Sequence, residues 1–288
     1  MAKREVDDIS GTETTGHEWD GIKELDTPMP KWWLGMFYAC IVWAIGYWVV
    51  YPAWPTLSGY THGMLNHSQR DDVTANLAAL KSARSVKEAA LRDASLADIQ
   101  RNPELQQFAM AAGKTLFGDD CAPCHGAGGQ GAHGYPNLND DVWLWGGKLS
   151  DIQRTITVGI RSTSPDTRQS QMPAFGRDGM LKPAEIDDLT EYVVHLSGRP
   201  ANARAVTRAT KLFADNCAVC HGADGKGNRS MGAPNLIDNE WLYGPNREDI
   251  ADQITNGHGG EMPTWGGRLS PEEIKALAVY VHNLGGGE

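Results

Sequence analysis

Four of the five cysteines fall into two identical arrangements, Cys121-Ala122-Pro123-Cys124-His125 and Cys217-Ala218-Val219-Cys220-His221. C-x-x-C-H is the spacing of covalent haem attachment. Two thiols one helical turn apart can add to the vinyl groups of one macrocycle as thioethers. The next residue, histidine, is then carried beneath the iron as an axial ligand. A single motif of this kind would also suit a redox dithiol or half of a zinc site. Two copies, each followed directly by His and each inside a repeat with a downstream Met, point to haem instead.

The second axial ligand has to come from elsewhere in the chain. Met172 lies 47 residues after His125, and Met262 lies 41 after His221. Each precedes Pro in a Gly-containing loop, Q-M-P-A-F-G and E-M-P-T-W-G. A thioether is a soft, uncharged donor that favours ferrous over ferric iron, and a Met/His pair raises the potential. Two strong axial ligands leave no open position, which suits an electron carrier and not an oxygen-activating centre. One Met per repeat is the simple pairing. Adjacent similar domains could equally exchange these loops, so the pairing stays open. Met180 and Met231 are read as packing or surface residues. His133, at the place matching Met231, is read as a solvated loop residue, and His17, His62, His67, His195, His258 and His282 as exposed or interfacial. Cys40 is given no role.

The elements that must hold these groups form an internal repeat. L-F-G-D-D-C-A-P-C-H from Leu116 aligns with L-F-A-D-N-C-A-V-C-H from Leu212, and Pro136-Asn137-Leu138 with Pro234-Asn235-Leu236. Trp143-Leu144-Trp145-Gly146 aligns with Trp241-Leu242-Tyr243-Gly244, and the two Met-Pro loops align with each other. Each repeat ends in a Leu-x-Pro-x-Glu pattern, which starts a helix because Pro fits the first turn. Apolar residues follow at helical spacing: Ile186, Leu189, Val193 and Leu196, then Ile274, Leu277, Tyr280 and Val281. Two domains follow, joined near 199–203. In each, the helix before the first Cys is expected to pack on the last helix.

Ahead of the repeats, residues 32–51 carry no charge, and the uncharged stretch runs on to Gln69. A twenty-residue helix is about 30 Å long and matches the hydrocarbon thickness of a bilayer. Trp32 and Trp33 at one end, and Tyr47, Trp48, Tyr51 and Trp54 at the other, suit the two interfacial belts. The run is too long for a signal peptide and lacks a small-residue cleavage site. Pro52 and Pro55 should end the helix. Residues 1–31 hold eight Asp/Glu against four Lys/Arg without apolar periodicity, and read as a disordered or peripheral tail. Residues 71–112 are rich in helix formers and are interrupted by Pro103. The formal net charge of −10 argues against nucleic acid, whose phosphates need Lys and Arg.

With the span, both motifs and the segment D-G-I-K-E-L-D-T-P-M-P-K-W-W at 20–33 in view, the chain resembles the dihaem subunit III of cbb3-type cytochrome c oxidases. The resemblance implies an all-α fold: one N-terminal transmembrane helix followed by two tandem cytochrome c domains. The expected divisions are a tail at 1–31, the anchor at 32–55, a helical linker at 56–103, and domains at 104–199 and 200–288. Two haem c groups are implied, attached through Cys121, Cys124, Cys217 and Cys220. Their iron ligands would be His125, Met172, His221 and Met262, with the two Met crossed between domains in some members. The implied role is electron transfer, without catalysis of its own, from a soluble cytochrome c or the cytochrome bc complex to a haem–copper catalytic subunit. A monohaem cytochrome c subunit would be a further partner. Because c-type haem is attached outside the bacterial cytoplasm, residues 56–288 are expected in the periplasm and 1–31 in the cytoplasm, with a single pass through the inner membrane. A dihaem carrier for a dehydrogenase or nitric-oxide reductase, and a dihaem peroxidase, are the competing readings; the two Met-Pro loops speak against the peroxidase.

Overall fold

In the computed structural model, which describes residues 5–288, Asp20 and Gly21 both have positive φ, 51° and 83°. A two-residue type I′ hairpin turn requires this of both central residues. They join strand β1 (Thr14–Trp19) to strand β2 (Ile22–Leu25), antiparallel, with Trp19 opposite Ile22 and Glu18 opposite Lys23. The acidic tail is therefore not featureless. Its Asp-Gly dipeptide is a hairpin signal that the search for apolar periodicity passes over.

Pro30 caps helix α1 (Lys31–Val50), and its twenty residues include no buried one. It is long and apolar enough to cross a membrane, about 30 Å at 1.5 Å per residue. A helix this apolar with no residue buried among the described ones is unlike a soluble core helix. It fits a single-pass anchor. Rings line both ends: Trp33 stacks on Phe37 at 5.5 Å, Tyr47 on Tyr51 at 4.7 Å, and Trp48 meets Trp54 edge-on at 4.8 Å. After Pro52 the chain makes a short ladder, β3 (Pro55–Thr56) with β4 (Gly59–Tyr60). It then returns amides of Met64 and Leu65 to the carbonyls of Val49 and Val50 at 2.9 and 3.1 Å, satisfying the helix end.

The chain divides into two compact units, residues 1–81 and 82–288. Helix α2 (Gln69–Asp93) begins in the first and ends in the second. In the second unit, α3 (Leu96–Arg101) stops before Pro103, and α4 (Pro103–Leu116) starts on it, capped by the Asn102 side chain. A single π-helical turn, Phe117–Cys121, leads into α5 (Ala122–His125). Then come α6 (Leu149–Val158), α7 (Pro183–Leu196), α8 (Ala203–Asn216), α9 (Ala218–His221), α10 (Arg247–Asn256) and α11 (Pro271–His282). Both Leu-x-Pro-x-Glu patterns place Pro at the first helical position, at Pro183 and Pro271.

Packing does not follow the repeat boundaries. Helix α4 lies on α11, and α7 lies on α8. The helix before the first Cys of each repeat thus packs on the last helix of the other repeat, not on its own. Phe117 meets Tyr280 at 5.3 Å, and the matching Phe213 meets Tyr192 at 4.8 Å. Phe117 and Phe213 are 1 % and 2 % exposed; burial of one such ring is worth about 1.5–3 kcal/mol. Two cores result. The first joins Ile99, Ala109, Phe117, Ile152 and Ile156 to Ile274, Leu277 and Val281. The second joins Ile186, Leu189 and Val193 to Ala209, Phe213, Ile250 and Ile254. The reason is local: between α6 and α7, and between α10 and α11, the Met-Pro loop crosses over and docks on the far lobe. Phe175 and Gly176 give their amides to Ile254 and Thr255, and Trp265 and Gly266 give theirs to Ile156 and Thr157, at 2.9–3.2 Å.

Candidate functional site

The C-x-x-C-H residues sit on the single turns α5 and α9. The backbone repeats closely: Cys121 has φ −112° and ψ −37°, Cys217 −111° and −37°. The following glycines, Gly126 and Gly222, have φ 80° and 79° and let the chain leave the turn sharply. None of the four cysteines is in a disulfide. Burial, with Asp120 and Cys124 nearby, pushes the Cys121 thiol up to about 12, and burial pushes Cys217 up to about 11. A redox dithiol works through a thiol whose pKa is lowered. Burial moves Cys121 and Cys217 the opposite way.

Both histidines are oriented in the same way. His125 Nδ1 lies 3.0 Å from the carbonyl of Pro136, and His221 Nδ1 lies 3.0 Å from that of Pro234. A carbonyl only accepts, so Nδ1 carries the proton and Nε2 is left with its lone pair free to ligate. Burial lowers both histidine pKa values, partly offset by these hydrogen bonds. The neutral, ligating form is the stable one. The two proline carbonyls are functional groups that reading the motifs did not pick out. Their signal is the Pro-Asn-Leu match between the repeats.

The methionines arrive from the opposite repeat. Met262 packs against the first core, as do Cys121, Ala122, Leu138 and Trp143. Met172 packs against the second, as do Cys217, Ala218, Leu236 and Trp241. Each loop is clamped by a glycine in the partner lobe. A Cβ on Gly159 would stand 2.5 Å from the Met262 carbonyl oxygen, and one on Gly257 would stand 2.3 Å from that of Met172. Both glycines also have positive φ, 71° and 62°. Each lobe thus contains two thiols, an imidazole with free Nε2 and a half-buried thioether, side chains that would fit covalent haem c. Met262 belongs to the core that Cys121 packs against, and Met172 to the core that Cys217 packs against.

The remaining residues singled out by type lie apart from these sets. Met180 and Met231 are exposed. His133 is at the seam between the lobes, its Nε2 3.0 Å from the Tyr243 carbonyl. His258 pairs with Asp252 at 2.6 Å, and His67 with Asp72 at 2.7 Å. Cys40 is exposed on α1. Gln253, absent from any motif, places its Nε2 3.8 Å from Met172 Sδ.

Comparison with known proteins agrees with this architecture. Residues 11–58 match the family described as the N-terminal domain of cytochrome oxidase-cbb3, FixP. Residues 110–197 match cytochrome c, and residues 204–281 match cytochrome c oxidase, cbb3-type, subunit III. The chain is 57 % identical over 285 residues to a "Cbb3-type cytochrome c oxidase subunit FixP" of Bradyrhizobium sp., covering 99 % of this chain and 98 % of that one. It is 54 % identical to the FixP of Azorhizobium caulinodans, covering 98 % and 96 %, and 49 % identical to a "Cbb3-type cytochrome c oxidase subunit CcoP" of Cereibacter sphaeroides, covering 96 % and 95 %. With a helical fold, an N-terminal anchor helix and two cytochrome c-type regions that imply covalent haem c, the chain belongs to the FixP/CcoP family of cbb3-type cytochrome c oxidase subunits.

Proposed function

We infer that this chain is the electron-entry subunit of a cbb3-type terminal oxidase. It takes electrons from a soluble cytochrome c or the cytochrome bc complex and hands them to the oxygen-reducing haem–copper subunit in aerobic or microaerobic respiration. What supports the reading is that each lobe combines a C-x-x-C-H motif with a half-buried Met from the opposite repeat, Cys121 with Met262 and Cys217 with Met172 in the two cores. When bound, each of two haem c groups supplies a one-electron ferric/ferrous couple. Cys121 and Cys124, and Cys217 and Cys220, tether it. The Pro136 and Pro234 carbonyls hold the imidazoles in one tautomer, and the glycine clamps hold the Met loops. His125 with Met262, and His221 with Met172, would hold the two haems and leave no open position for oxygen or peroxide, so this chain would carry electrons and leave oxygen chemistry to another subunit.

The chain's segments take matching parts: a cytoplasmic tail at 1–31, an inner-membrane anchor at 32–55, a linker at 56–103 and periplasmic repeats at 104–199 and 200–288 that exchange their last helices. The catalytic subunit and a monohaem cytochrome c subunit are its partners in the complex. The test is purification from membranes with a haem-stained subunit gel and reduced-minus-oxidised spectra. Covalent haem on this chain, copurifying with a large subunit that carries b haems, supports the reading; a chain without bound porphyrin overturns it. The Met pairing is tested by adding Met172→Leu to a Cys121→Ala/Cys124→Ala chain. Crossed ligation predicts loss of the far-red sulfur–iron band from the remaining haem, and pairing within the repeat predicts its survival.

A further inference from the structure

We propose that Gln253 sets apart the potentials of the two centres by donating a hydrogen bond to the sulfur of Met172. This rests on the ligand scheme above. Gln253 lies on α10, and its Nε2 is 3.0 Å from the carbonyl oxygen of His258 and 3.8 Å from Met172 Sδ. The two ends of an amide look alike in shape, and the network decides which is which. A carbonyl can only accept, so the NH2 end faces His258. One hydrogen is held there and the second is directed at sulfur. Oε1 is buried without a hydrogen-bond partner among the described residues. Burying an oxygen without a partner is costly and asks for a compensating role at that position. Supplying two donors, one to an anchor and one to a ligand atom, is that role.

The chemistry has a definite sign. A donor on the thioether draws density away from the sulfur lone pairs. Ferric iron depends on that density more than ferrous iron does, so the hydrogen bond favours the reduced state and raises the potential. The other lobe lacks the device. Alignment of 151–159 with 249–257 puts Thr155 at the place of Gln253. The Thr155 hydroxyl donates to the Asp151 carbonyl on its own helix at 2.8 Å. Two lobes with matching Cys, His and Met thus differ in this contact to sulfur. Gln253 acts through Met172 as a positioning residue, its amide shared between Met172 and the His258 carbonyl.

The experiment is a spectroelectrochemical titration of the purified, haem-loaded oxidase complex carrying Gln253→Leu or Gln253→Thr, the latter copying the residue of the other lobe. The expected result is that one of the two midpoints assigned to this chain moves to lower potential while the other stays, with the far-red sulfur–iron band shifted but present. Unchanged midpoints in both variants, or equal movement of both centres, overturn the proposal. Met172→Leu separates this from the ligand scheme. If that variant keeps both sulfur–iron bands, the ligand scheme itself has failed. If it loses one band while the Gln253 variants shift nothing, the ligand stands and Gln253 has no such role.

Discussion

His125 and His221 each commit Nδ1 to a proline carbonyl eleven and thirteen residues on, which leaves Nε2 of each with its lone pair free. Spacing in the sequence picks out such candidates, because C-x-x-C-H confines three donors to one helical turn. It says nothing of the carbonyl that orients the ring, since a backbone oxygen has no residue type to search for. Gln253 escapes for a related reason: its counterpart is Thr155, so the repeat comparison hides it. A residue far from either haem motif offers a cleaner titration. Arg92 donates two hydrogen bonds to Glu272, one of them at 2.9 Å, and holds that carboxyl at about 2. The unfolded value is about 4.3, so the folded state binds fewer protons and the contribution is complete above roughly pH 4.5. It is lost as the pH falls from there towards 2. Melting temperatures should therefore fall more steeply with acidification in the parent than in Glu272→Gln, measured by circular dichroism between about pH 5 and pH 2.5. Parallel curves would show that the pair contributes nothing.

At the scale of elements, α1 is legible because twenty uncharged residues with aromatic ends have few other uses. Both Leu-x-Pro-x-Glu starts are legible because Pro is tolerated at that turn and few others. The hairpin β1–β2 is less so. It is four to six residues a strand, mostly exposed, and its only strong marker is the dipeptide Asp20-Gly21. The crossing of α4 and α11 depends on a residue with no side chain. A Cβ on Gly113 would lie 2.3 Å from the Ala276 oxygen and 2.6 Å from Tyr280 Cβ. The matching residue at the α7–α8 crossing is Ala209, fully buried. Gly113→Leu should force the helices apart and cost about 1–3 kcal/mol or more. Urea unfolding of the haem-loaded chain would register it as a lower midpoint. An unchanged midpoint would mean that α11 does not depend on this close approach.

For the molecule as a whole, the repeat is plain in the sequence, but the exchange of its halves is not. Phe117 and Phe213, Tyr192 and Tyr280, Met172 and Met262 are the same residue types at matching places. Either pairing satisfies the hydrophobic pattern, and only the path of the Met-Pro loops decides. The exchange has a plain consequence for dissection. Every element of the second lobe, from Met172 through α7, α8, α9 and α10, lies within 170–258, whereas 200–288 lacks both α7 and Met172. A 170–258 fragment, matured with haem, should show the far-red sulfur–iron band and cooperative melting. The 200–288 fragment, although it spans a family match at 204–281, should show neither. The reverse result would place the fold boundary back at the repeat boundary.

Chain order also becomes an order in time. When the Cys217 motif leaves the ribosome, Met172 and α7 have already been made, and its lobe waits only for the stretch through α10 and Gly257. The Cys121 motif comes out first but must wait for Met262, 137 residues after His125, which at ~5–20 residues per second is a delay of roughly 7–30 s. The earliest attachment site thus belongs to the last lobe to finish. For that interval its two thiols and imidazole stand open to the assembly machinery, without a sulfur opposite and without α11 beneath them.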